Sequence, residues 1–139
     1  MKRLYATLLS ITFAITSVFA QQEDVMVESL INAGDWFELE RAYPNIKDNV
    51  QTPLLKQMAE VLLAANFNRP DELRSKLPTL IAEHQSEIGF EGVCNMVIMG
   101  ATVEGFNGNY VVAANMIENI VDAVKSAGGS LENSGMEEL

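Results

Sequence analysis

The sequence predicts an all-α protein, an antiparallel array of helical hairpins with about six or seven helices. Three observations predict it. Apolar residues recur at three- and four-residue spacing along most of the chain, whereas the strict alternation of a half-buried strand is scarce. Proline, glycine and asparagine cluster between the periodic stretches, where helices start and stop. One short turn pattern returns three times, at intervals of 34 and 40 residues.

The N-terminus reads as an export signal over residues 1–20. Met1-Lys2-Arg3 is a basic start, Leu4 to Val18 is almost wholly apolar or hydroxylic, and Val18-Phe19-Ala20 offers small residues at the two positions a signal peptidase reads. An uncleaved membrane helix is the other reading, but the apolar run is short for a bilayer span. No cysteine stands directly after the cleavage point, where Gln21-Gln22 follow, which argues against a lipid-anchored N-terminus. The expectation is an exported chain, periplasmic or secreted, with no membrane segment after cleavage. Removing residues 1–20 leaves 7 basic and 19 acidic residues, a net charge of −12. Nucleic acid and anionic membrane surfaces both select for Lys/Arg patches, so neither is expected as a partner.

The helices follow in order. Val25, Val27, Leu30 and Ile31 share a helical face that Gly34 ends. Trp36, Leu39 and Tyr43 mark a short helix expected to stop at Pro44. Thr52-Pro53 reads as an N-cap followed by proline at the first helical position, and Leu54, Leu55, Met58, Val61, Leu62 and Ala65 form the stripe behind it. Arg69-Pro70 opens the next helix, with Asp71 and Glu72 suiting the dipole at its start. Leu73, Leu77, Leu80 and Ile81 are its inner face, and Pro78 is expected to kink or split it. Phe90–Phe106 and Tyr110–Ala127 are the last two helices. The second should present Ile117, Ile120, Val121 and Val124 as an under-covered apolar strip. The helical domain therefore runs over 21–127, and 128–139 reads as a flexible tail or linker.

The recurring pattern is Gly34/Trp36/Leu39, then Asn68/Pro70/Leu73, then Gly108/Tyr110/Ala113. A residue that tolerates a left-handed backbone turns the chain out of one helix. Two residues on, a bulky or rigid group starts the next helix, and three further on an apolar residue packs back. These offsets resemble the turn of the tetratricopeptide repeat, with glycine, an aromatic and alanine at the same positions. Gly108/Tyr110/Ala113 is the best match. Ala101 also suits the first helix of such a unit, although Val97 stands where an aromatic is usual. Three hairpins are about the minimum that stack stably.

The candidates for chemistry are few. His84 is the only histidine and Cys94 the only cysteine. A Cys94–His84 dyad is conceivable, but nothing near Cys94 in sequence is electropositive enough to activate a thiol. Cys94, in Val93-Cys94-Asn95-Met96-Val97-Ile98, reads as a buried, inert residue. Structural zinc wants four Cys/His ligands, and Asp71-Glu72 and Glu137-Glu138 lack the spacing of a calcium loop. Gly100, Gly105 and Gly108 have no following lysine and make no phosphate loop. Trp36, Tyr43, Phe67, Met96, Met99 and Met116 read as core in preference to a ligand groove. No catalytic, cofactor-binding or metal residue is assigned, and no cofactor is expected.

A second resemblance spans residues 21–127. Asn32-Ala33-Gly34-Asp35-Trp36-Phe37, Phe67-Asn68-Arg69-Pro70-Asp71 and His84-Gln85-x-x-Ile88-Gly89-Phe90 resemble the helical N-terminal region of exported retropepsin-like aspartic proteases of Gram-negative bacteria. In that family the helices precede a β-rich peptidase domain carrying Asp-Thr/Ser-Gly. No such tripeptide occurs here, so the resemblance implies no catalytic residue and no protease activity for this chain. The expected function is a non-catalytic, exported interaction or accessory module with a protein or peptide partner. The alternative is a free-standing periplasmic adaptor of the tetratricopeptide class.

Overall fold

A computed structural model describes residues 22–126; the signal segment 1–20 and the tail 128–139 lie outside them. The described residues are all-α and contain no strand. The helices are α1 (22–33), α2 (Trp36–Ile46), α3 (Pro53–Asn66), α4 (Pro70–Phe106) and α5 (Tyr110–Ser126). They fall into two compact units, one of residues up to Leu63 and one from Ala64 onward.

Three inter-helix turns share one backbone design. Gly34, Asn68 and Gly108 all have left-handed φ, at 66°, 51° and 79°. In each turn that residue's N–H bonds to the carbonyl three back, and the next N–H bonds to the carbonyl five back. The pairs are Gly34 to Ile31 and Asp35 to Leu30, Asn68 to Ala65 and Arg69 to Ala64, Gly108 to Gly105 and Asn109 to Glu104. This double bond satisfies carbonyls that a helix end otherwise orphans. The following helix then closes its first bond from the third pattern residue: Leu39 to Asp35, Leu73 to Arg69 and Ala113 to Asn109. Leu39 and Leu73 are buried, whereas Ala113 is half-buried.

In the first unit, Val27, Leu39, Tyr43, Val50, Ala59, Val61 and Leu63 form the core. Asp24 of α1 ties down the start of α3. Its carboxylate accepts from the Gln51 and Thr52 N–H groups at 2.8 and 3.1 Å and from the Thr52 hydroxyl at 2.6 Å. The Thr52 hydroxyl is thus spent as a donor, and a carboxylate from another helix meets the positive end of the dipole instead. Pro53 takes the first helical position as expected. Pro44 does not end α2, which runs on to Ile46 with the Lys47 N–H bonded to Tyr43 O. Pro44 is exposed.

In the second unit α4 breaks at Gly89, whose φ of 76° and ψ of 166° are non-helical, and not at Pro78. Pro78 is exposed within a continuing helix. The two arms of α4 fold back on each other. Asn68, just before the first arm, pairs with Asn107, just after the second, and Arg74 pairs with Glu104. Leu73 and Leu77 reach Gly100, where α5 contributes Met116. Index rises on one arm as it falls on the other, which is antiparallel packing. Leu73, Leu77, Leu80, Ala101, Val103 and Ile120 are buried here. Of the apolar strip expected on α5, Ile120 is buried and Ile117 and Val121 are half-buried. The large apolar residues exposed on α5 are Tyr110, Val111 and Val112, at its start. Val124 is not among the described side chains.

Candidate functional site

The second unit carries a groove of about 520 Å³ along the end of α3 and the second arm of α4. Ala65, Met99, Val103 and Phe106 give it an apolar lining, and Asn66, Asn68 and Thr102 contribute polar groups. Its shape follows from local sequence. The left-handed Asn68 ends α3 abruptly, and the side-chain amides of Asn68 and Asn107 clasp the ends of the two helices, with Asn107 Nδ2 donating to Asn68 Oδ1 at 2.7 Å. Asn107 Nδ2 also donates to Val103 O at 2.8 Å, and the Thr102 hydroxyl donates to Ile98 O at 2.8 Å. Phe106, which lines the groove, stays 83 % exposed. At the start of α4, the Arg69 guanidinium lies 5.4 Å from the Phe67 ring centroid, a cation–π geometry.

The α4 hairpin also holds a buried charge cluster. Glu104, 2 % exposed, accepts from Arg74 Nε and Nη2 at 2.5 and 2.6 Å and from Asn109 Nδ2 at 2.8 Å. The Arg74 hydrogen bonds hold its carboxyl below the usual carboxylate range against the opposing effect of burial. Arg74 also reaches Asp71 at 3.0 Å. Glu104 carries no strong signal in the sequence. The only signal for it was an acid on the inner face of the apolar run Met96–Val103, one turn of helix after Gly100.

The residues weighed for chemistry are placed as follows. His84 is buried, its Nδ1 2.7 Å from Glu87 Oε1, and its buried Nε2 has no hydrogen-bond partner among the described residues. Neither ring nitrogen bonds to Cys94. Cys94 is half-buried, which corrects the expectation of a buried thiol, and partial desolvation pushes its thiol up from the ordinary value. No group of three or more His, Cys, Asp or Glu side chains gathers into a metal-holding cluster among the described residues. Tyr43 is core, whereas Trp36 and Phe67 are half-buried. Met96, Met99 and Met116 are half-buried too, and Met99 lines the groove in place of filling the core. No helix among the described residues is long and apolar enough to cross a membrane. No protein family, curated protein or solved structure matches the chain.

Proposed function

We propose that this chain is an exported, non-catalytic helical interaction module that takes a protein or peptide partner in the groove of its second unit. The exposed Phe106 lining an apolar groove carries the reading. The floor of Ala65, Met99 and Val103 suits an apolar anchor side chain, and the Asn66, Asn68 and Thr102 groups along it suit the backbone of an extended segment. The three matched turns support a tetratricopeptide-like arrangement of hairpins. The motifs around Trp36, Pro70 and His84 support kinship with the helical region of exported retropepsin-like proteases, acting here as an accessory segment. One observation supports the free-standing adaptor as the second reading: Ile120 is buried within the second unit, with Ile117 and Val121 half-buried beside it in sequence. Export to the periplasm or beyond rests on the pattern of residues 1–20 and goes with the same proposal.

A random peptide display library panned on the immobilised chain tests this. Peptides with a large apolar anchor should be selected and should lose about tenfold or more in affinity on Phe106→Asp. A selection that returns no binder, or binders indifferent to both Phe106→Asp and Met99→Ala, rejects the groove.

A further inference from the structure

We propose that Gly89 is a hinge through which two copies of this chain exchange residues 90–126, α4 straightening into one continuous helix as they do so. Every contact that closes the α4 hairpin joins a residue before Gly89 to one after it. Asn68 meets Asn107, Arg74 meets Glu104, and Leu73 and Leu77 meet Gly100. The groove is built the same way, from Ala65, Asn66 and Asn68 on one side and Met99 to Phe106 on the other. An opened chain therefore loses one complete set of contacts and recovers the identical set from a second copy, the defining economy of a swapped dimer.

The connection between the arms is a single residue, and short strained hinges are the ones that invite exchange. Gly89, with φ 76° and ψ 166°, sits in a region that is essentially glycine-only. A second glycine is needed to close the bend: a Cβ on Gly92 would lie 2.6 Å from Ile88 Cγ2, a branched atom on a stiff side chain. A straight helix needs neither glycine, and alanine is the better helix former at both positions. The wild-type sequence restrains opening in two ways. Both glycines weaken the straight helix, and Glu87 and Glu91 would face each other as like charges four apart.

The test uses the whole chain, analysed by light scattering after size exclusion, with circular dichroism as the check on folding. Wild type should be mostly monomer with a dimer fraction that grows with concentration. Gly89→Ala should raise the dimer-to-monomer ratio about tenfold or more with helical content kept. To identify the exchange, Asn68→Cys and Asn107→Cys are combined with Cys94→Ser. Their crosslink should form within one chain when Gly89 is kept and between chains with Gly89→Ala. A helical Gly89→Ala monomer, or a dimer whose 68–107 crosslinks remain within chains, overturns the hinge. If Gly89→Ala loses its helical signal, Gly92→Ala is judged by the same two outcomes. Inserting Gly-Ser-Gly after Gly89 relieves the bend and should hold the chain as a monomer; a dimer there also overturns the proposal.

Discussion

Arg74 and Glu104 face each other across the α4 hairpin as a two-pronged pair, Nε to Oε1 at 2.5 Å and Nη2 to Oε2 at 2.6 Å. The planar guanidinium matches the carboxylate fork, so the pair fixes direction as well as distance between the arms. Asn109 Nδ2 adds a third bond to the same carboxylate, and its own N–H bonds to the Glu104 carbonyl. One buried acid thus connects the first arm of α4, the second arm, and the turn into α5.

Acid should loosen the second unit through Glu104. Its folded-state pKa lies below the unfolded value, mainly because of the Arg74 hydrogen bonds. A lowered carboxylate contributes stability that is present above the unfolded pKa, about 4.3, and is lost as pH falls through the folded value. The melting midpoint should therefore fall steadily below about pH 5. Glu104→Gln should melt lower at pH 7 and show a flatter acid limb. Equal acid slopes for the two proteins would show that other carboxylates dominate.

Three glycines around the last turn should respond differently to substitution. Gly105 is helical with nothing near a would-be Cβ, so Gly105→Ala should stabilise by about 0.4–1 kcal/mol. Gly108 has φ 79°, so Gly108→Ala should destabilise by about 1–2 kcal/mol. Gly100 lies under Met116 Cε and Leu77 Cδ2, which would be 2.8 and 2.9 Å from a Cβ. Gly100→Leu should overpack this crossing and destabilise by about 1–3 kcal/mol. Urea midpoints at constant m-value measure all three, and any change of sign refutes the assigned environment.

Cys94 should react slowly, because half-burial both shields the sulfur and raises the thiol pKa, lowering the thiolate fraction at pH 8. The rate with a thiol reagent should rise by about tenfold or more in denaturant. A native rate equal to the unfolded one would mean that the thiol is fully open.

The turns were legible because their demands are local. Gly34, Asn68 and Gly108 each supply a left-handed backbone where a helical stripe ends, and Pro53 and Pro70 sit where a missing N–H costs nothing. The start of a helix at Phe90 was legible and Gly89 is the break before it, but that this one residue joins two arms folded back on each other was not, because no polar loop surrounds it. Pro78 and Pro44 misled in the opposite direction. Both are exposed, and each helix continues through its proline. The groove was illegible for a related reason. Met99 and Phe106 have ordinary helical spacing, and periodicity alone cannot tell a core methionine from one at the edge of a cleft.

Alkali should loosen the first unit through Tyr43. The phenol is 5 % exposed, and its hydroxyl donates to Lys56 O at 3.0 Å and reaches Glu60 Oε1 at 3.5 Å. Burial first, and then the Glu60 charge, push its pKa well above the usual value for tyrosine. Raised in the folded state, an acid that is neutral when protonated contributes stability that is present below the unfolded pKa, about 10, and is lost as pH rises toward the folded value. The melting midpoint should hold up to about pH 9.5 and then drop. Tyr43→Phe keeps the ring but removes the donor, and it should cost about 1 kcal/mol at neutral pH. The Lys56 carbonyl lies inside α3, where the helix supplies it with another partner, so the loss stays near the lower end for a buried hydrogen bond. Tyr43→Phe should also remove part of the alkaline drop. Thermal melts between pH 8 and 11, with phenolate absorbance followed in parallel, decide the point. If phenolate from a folded-state tyrosine appears with an ordinary midpoint and is missing in Tyr43→Phe, Tyr43 is not held as described.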